Sequence, residues 1–327
     1  MQQIFGQTAR GQEVHRITLD AHGFRAHVLT LGGILQSMTA WARELTLGAE
    51  DLGAYDRDAS SGGPMQYHGA IIGPVAGRVR DATGLLDGAE IRLEASAGAD
   101  ALHCGSAGLH TKVWAIEGVS SGAVTLSTTS APGEGGLPGT RRFRARYALV
   151  PEGLHLTLDA ESDAPTWVNL TQHSYWQLHD APTIDGQALE IAASRYLPID
   201  DRTLPSGEIA EVAGSRFDFR QARPLRAEDR LDHCFCLDTP GLGVPATRLL
   251  GADGVTLEVR TDAPGMQVFT MDFEREPRRR GIAFEAQDWP DAPNHAAFPS
   301  IRLDAGAPWR REVLFAVHRT ERKNASV

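Results

Sequence analysis

The sequence predicts an all-β fold, one large antiparallel β-sandwich. Three observations predict it. Apolar residues recur with a period of two, turn signals punctuate the runs, and helical periodicity is scarce.

The alternation is clearest in four runs. Phe143, Ala145, Tyr147 and Leu149 alternate with Arg142, Arg144 and Arg146. Leu154, Leu156 and Leu158 alternate with His155, Thr157 and Asp159, and Val255, Leu257 and Val259 with Thr256, Glu258 and Arg260. Near the end, Val313, Phe315 and Val317 repeat the pattern. Each run places one apolar face inward and one polar face outward, as a half-buried strand requires. Between runs stand Asp87-Gly88, Pro151-Glu152-Gly153 and Asp253-Gly254, whose residues tolerate tight-turn geometry. Helical turns are expected only in residues 43–55 and 227–231. Many short strands without βαβ alternation point to antiparallel pairing. The Gly- and Pro-rich loops at 131–140 and 239–245 have strand patterns on both sides, so residues 1–327 are expected to form a single domain.

Composition narrows the function. The chain has 327 residues and a formal net charge of −10, which argues against nucleic acid and anionic membranes as partners. No run of about 18 apolar residues exists, so no membrane span is expected. The amino terminus, MQQIFGQTARGQEV, lacks a basic region followed by an apolar run and does not read as a signal peptide. Cys104, Cys234 and Cys236 are the three cysteines. They are too few for a disulfide framework, and a cytoplasmic location is expected.

Chemistry concentrates in two segments. Residues 169–178 read NLTQHSYWQL. As a strand, alternation would put Asn169, Thr171, His173 and Tyr175 on one face, a surface suited to a hydroxyl-rich ligand. A histidine in a strand is commonly structural, but a simple core strand would be richer in Val, Ile and Leu. Residues 281–294 read GIAFEAQDWPDAPN. Glu285 lies there among apolar neighbours, which raise a carboxyl pKa; the alternative is pairing with one of Arg278 to Arg280. A histidine acid and a tuned carboxylate base are the parts of a proton shuttle.

Other segments are weaker alone. Residues 73–78 (GPVAGR) could turn Arg78 inward, and residues 102–105 (LHCG) carry His103. In LDHCFC (231–236), Cys-x-Cys beside His233 invites a metal reading, but no second ligand pair stands at zinc spacing, and thiols pack well as small apolar groups. Asp232 in that segment could accept from sugar hydroxyls or simply form a turn. Gln267, in PGMQVFT (264–270), shares a face with apolar neighbours and needs a partner, either the backbone or a ligand. No Gly-rich nucleotide loop, Gly-x-Ser-x-Gly elbow or His-Glu-x-x-His pattern occurs.

Taken in order, HGAIIGPVAGRV (68–79), ALHCGSAGLHTKVW (101–114), NLTQHSYWQL, LDHCF, PGMQVFT, GIAFEAQDWPDAPN and FPSIRLDAG (298–306) resemble the aldose 1-epimerase (galactose mutarotase) family. The resemblance spans most of the chain. It implies a galactose mutarotase-like sandwich that interconverts the α and β anomers of a free aldose such as galactose or glucose. It implies His173 as general acid and Glu285 as general base, with Arg78, His103, Asp232 and Gln267 holding the substrate. It implies neither metal nor organic cofactor; a monomer or weak homodimer is expected. The chain departs from the family pattern at three positions in the expected pocket. Pro74 stands in place of Arg, Gly77 in place of Asn and Cys104 in place of Gly. Two other functions compete. A hexose-6-phosphate mutarotase would need a phosphate clamp, for which Arg78, Arg80 and Lys112 are the candidates. A non-catalytic sugar-binding or sensory module would keep the pocket without needing the His173 and Glu285 pair.

Overall fold

The computed structural model describes residues 1–58, 60, 63–271 and 278–320. Among these residues every helix is a single 3-10 turn, and antiparallel sheets carry the architecture. The four alternating runs become neighbours in one nine-stranded sheet, as Arg141–Val150, Gly153–Ser162, Trp309–Arg319 and Val255–Thr261. The chain's last described strand is therefore inserted between strands far from it in sequence, with Leu156 opposite Val313 and Val259 opposite Phe315.

Alternation is realised residue by residue. Phe143, Ala145 and Tyr147 are buried while Arg142, Arg144 and Arg146 are exposed. At the tip of the Thr83–Leu86 and Ala89–Arg92 hairpin, Asp87 and Gly88 both have positive φ, 52° and 80°. That is the geometry a two-residue turn needs to match strand twist. The helical turns expected at 43–55 shrink to one 3-10 turn, Leu52–Ala54, after a short strand at Arg43–Glu44. Residues 227–231 form only a single hydrogen-bonded turn at 227–228, closed by the Asp229 N–H donating to the Arg226 carbonyl at 2.9 Å. Neither segment has the length or apolar periodicity to sustain a helix.

Two further sheets face the nine-stranded one, five-stranded from Gln2–Gln7 to Arg43–Glu44 and six-stranded around Ile282–Gln287. The principal core joins all three, for example Ile17 and Met38 from the first, Phe143, Leu156 and Phe315 from the second, and Met266, Val268 and Phe284 from the third. Trp176 packs against Phe315 across this core, with the rings tilted and their centroids 5.0 Å apart. In the six-stranded sheet Met266, Val268, Ile282, Phe284 and Phe235 belong to the core. The alternate residues of the same strands point the other way, and a cavity lies there. No helix among the described residues is long and apolar enough to cross a membrane.

Candidate active site

The six-stranded sheet forms the floor of the site. In its register Gln267 pairs with Cys234 on one side and with Glu285 on the other. Strands Asp232–Cys236, Gly265–Phe269 and Ile282–Gln287 therefore present Asp232, Cys234, Gln267, Phe269, Glu285 and Gln287 on one face. That face lines a cavity of about 330 Å³, within the size range of small-ligand sites. Arg78, His103 and His173 reach the same cavity from its walls, so all six residues singled out in the sequence meet there.

His173 is delivered by a break in its strand. Thr171–Gln172 pairs with Ile71–Ile72, whereas Tyr175–Trp176 pairs with Ile282–Gln287. Between them the His173 N–H donates to the Ala70 carbonyl (2.9 Å), and the His173 carbonyl accepts from Gly69 N–H (2.8 Å). Gly69 has a φ of +70°, and a Cβ there would overlap the Leu35 carbonyl oxygen. Only glycine meets both demands without strain. His173 and Tyr175 do line the cavity, but the single ligand-facing row expected at 169–175 does not form. Asn169 instead exchanges two hydrogen bonds with the Asp288 backbone (2.9 and 3.2 Å). Gln172 donates to the Gly69 carbonyl and to Ser174 Oγ, at 3.0 and 2.6 Å. The polar character of this segment is largely scaffolding, because buried amides must be satisfied and here they tie together the strands that carry the site.

His173 Nε2 lies 3.4 Å from Glu285 Oε1, and both side chains are about nineteen-twentieths buried. Their other polar atoms, His173 Nδ1 and Glu285 Oε2, are buried without a hydrogen-bond partner. Burial lowers the His173 pKa to about 4. Burial, reinforced by the negative charge of Asp232, raises that of Glu285 well above the carboxylate range. The pairing of Glu285 with Arg278 to Arg280 weighed from sequence is not what Arg279 does: its guanidinium is bound to Asp185 at 2.7 Å.

The remaining groups are held in defined states. Gln267 Nε2 donates to Asp232 Oδ1 at 2.7 Å, so the partner Gln267 required is a side chain of the site itself. Burial raises the Asp232 pKa, against the opposing pull of Arg78 and of that hydrogen bond. His103 Nδ1 accepts from Gly77 N–H at 3.1 Å, so a neutral His103 presents Nε2–H as its donor. Burial, with smaller contributions from His173, His110 and Arg78, holds the His103 pKa well below its usual value. His103 and Cys104 are consecutive non-glycine residues with positive φ, 53° and 61°. The Cys104 thiolate is disfavoured by burial, and its sulfur accepts from Val75 N–H at 3.3 Å.

Tyr67 and Gln287 line the cavity without having been singled out from sequence. Tyr67 packs edge-on against His103 at 4.9 Å and stacks at 6.3 Å from His173. Gln287 follows Glu285 by two positions on the same face, so strand alternation alone could have found it. Tyr67 precedes the first conspicuous motif and carried no such signal. His103, His173 and Glu285 bring donor atoms within 4.8 Å of one another and could ligate a divalent ion, which would occupy the lone pairs needed for proton transfer. Cys234 and Cys236 belong to no such group among the described residues.

The sequence profile described as Aldose 1-epimerase matches residues 15–316. The chain belongs to the aldose 1-epimerase family. Galactose mutarotase of Bos taurus is 31% identical over 337 residues, covering 95% of this chain and 96% of its own. Aldose 1-epimerase of Escherichia coli K12 is 30% identical over 280 residues, 79% of each chain. Among solved structures, galactose 1-epimerase of Lactobacillus acidophilus NCFM superposes with a TM-score of 0.86 at 26% identity, covering 98% of this chain and 99% of that one. The family is one of isomerases, and the antiparallel sandwich expected from sequence is its fold.

Proposed function

We propose that this aldose 1-epimerase interconverts the anomers of a free hexose such as galactose or glucose, with His173 as general acid and Glu285 as general base. The observation that carries the assignment is the 3.4 Å contact between two buried, oppositely tuned groups that face one cavity.

Ring opening needs a proton removed from the anomeric hydroxyl and one given to the ring oxygen. Glu285 as carboxylate takes the first, and protonated His173 supplies the second. The C1–O5 bond breaks and the open aldehyde forms. Rotation about C1–C2 and closure on the opposite carbonyl face, with acid and base exchanging roles, give the other anomer. Ring opening leaves Glu285 protonated and His173 neutral. That is the state burial favours for each group, so the site resists holding the starting charge pair and promotes the transfer. Each positioned proton transfer contributes typically ~10²–10⁴-fold. Asp232 accepts from sugar hydroxyls, while Arg78, Gln267 and His103 Nε2 donate to sugar oxygens. Holding the ring in register adds an orientation contribution.

The free sugar is favoured over a phosphorylated one by where the cations are. Arg78 is the single Lys or Arg lining the described cavity. Arg80 is bound to Asp200 and Lys112 to Glu134, so the other two members of the supposed phosphate clamp are engaged elsewhere. Magnetisation-exchange NMR on galactose, glucose and glucose 6-phosphate tests the reading. Exchange above background is expected for a free aldose and lost in His173→Gln; binding without exchange would mark a sugar-binding module instead.

A further inference from the structure

The mechanism above leaves Gln287, a buried polar group of the cavity, unused. Gln287 is fully buried, yet both its Nε2 and its Oε1 lack a hydrogen-bond partner. Its side chain lines the cavity. A buried amide with neither end satisfied is costly, and so calls for a ligand that can both give and accept hydrogen bonds. Gln287 lies two positions beyond Glu285 on one strand face, roughly 7 Å along the sheet. That is about the reach of a pyranose ring from its anomeric oxygen to its distant hydroxyls. Gly77 stands beside the amide. Its φ is +78°, and a Cβ there would come 3.5 Å from Gln287 Nε2 and 3.1 Å from Pro290 Cβ. Pro290 and Gly77 line the cavity as well.

We propose that Gln287 is a specificity-determining residue, whose amide binds a vicinal pair of ring hydroxyls remote from the anomeric carbon. Nε2 donates to one hydroxyl oxygen and Oε1 accepts from the other hydroxyl, a pairing that suits a diol and not a phosphate or carboxylate. The Gln287 amide thus selects among aldoses, while the proton-transfer pair acts on whichever one is seated. This inference rests on the mutarotase reading for the orientation of the ring.

The test combines anomer exchange with calorimetric binding of galactose, glucose and their singly deoxygenated analogues, for the wild type and for Gln287→Leu and Gln287→Asn. Two deoxy sugars, each lacking one of the vicinal hydroxyls, are expected to have a KM roughly tenfold above their parent in the wild type, the scale of one lost hydrogen bond. In Gln287→Leu, which removes both hydrogen bonds, the parent should fall below the wild-type level of either deoxy sugar, and each of those two analogues should lose less than the parent. Gln287→Asn, polar but shorter, serves if the leucine variant does not fold, and should lose the same discrimination. An equal loss on the parent and every analogue, or no loss on any, overturns the proposal. Failure of the mutarotase reading is separately visible as absence of exchange in the wild type, and the binding measurements still decide the role of Gln287.

Discussion

Gln267 and Asp232 are joined diagonally across two strands. The register opposes Gln267 to Cys234 and Asp232 to Phe269, yet Gln267 Nε2 reaches Asp232 Oδ1 at 2.7 Å. One hydrogen bond thereby fixes the orientation of two side chains of the cavity and engages one of the two Asp232 oxygens.

This bond sets an expectation for Asp232→Ala. In the proposed mechanism Asp232 touches hydroxyls that do not change charge during reaction, so its contribution would be largely uniform binding. KM should rise roughly 10- to 100-fold, the scale of hydrogen bonds to a charged group, with a much smaller change in kcat. Adding Gln267→Ala should cost less than in the wild type, because the pair is already broken. A collapse of kcat at constant KM in Asp232→Ala would move this residue into the proton-transfer machinery.

His173→Gln and Glu285→Gln should each lower kcat by roughly 10²-fold or more. The double variant should be little worse than the worse single one, since the two act on one proton path. All three should keep the wild-type circular dichroism. Near-normal exchange in either single variant would remove that residue from the mechanism.

The pH profile follows from the directions of the two shifts. Activity requires one proton on the pair. A second proton enters only as pH falls through the lowered His173 value, about 4, so the acidic limb should lie near there. The last proton leaves only as pH rises through the raised Glu285 value, so the basic limb is displaced upward from the ordinary carboxylate range. The result is a broad plateau whose limits belong to the pair and not to either residue. An acidic limb at or above about 6.5, the ordinary histidine value, would mean that the site does not desolvate His173.

Gly69→Ala should damage both stability and activity. The new Cβ would overlap the Leu35 carbonyl oxygen in a backbone of positive φ, while the Gly69 N–H is a direct support of His173. A loss of at least about 2 kcal/mol is expected, since strain and a steric clash combine. Calorimetric melting beside anomer exchange checks it; a wild-type melting temperature with normal exchange would show that the 69–70 segment shifts freely.

The three thiols should resist a maleimide at neutral pH in the folded protein and react fully once it is denatured. Cys104, Cys234 and Cys236 are buried, and burial disfavours each thiolate. Mass spectrometry before and after denaturation reads this directly. Rapid modification of the native chain would require a local opening that exposes the site.

The sequence by itself determined the strands and brought out the two residues proposed for proton transfer. A period of two survives any arrangement of sheets, so Phe143 to Leu149 or Val313 to Val317 could be read one segment at a time. Glu285 stood out because a carboxylate in an apolar run is costly whatever surrounds it, and Arg78, His103, Asp232 and Gln267 followed from the ordered resemblance. Tertiary structure alone decided which polar residues face the ligand. Asn169 and Gln172 bind backbone groups of distant segments, while Tyr67 turns out to pack against two histidines of the cavity. It also decided the protonation bias of His173, whose sequence neighbours are polar, because its desolvation comes from the groups that close around it in the fold. Hydrogen-bond partners more than a hundred positions apart, such as Asn169 and Asp288, leave no periodic trace, and their pairing exists only once the sheets have formed.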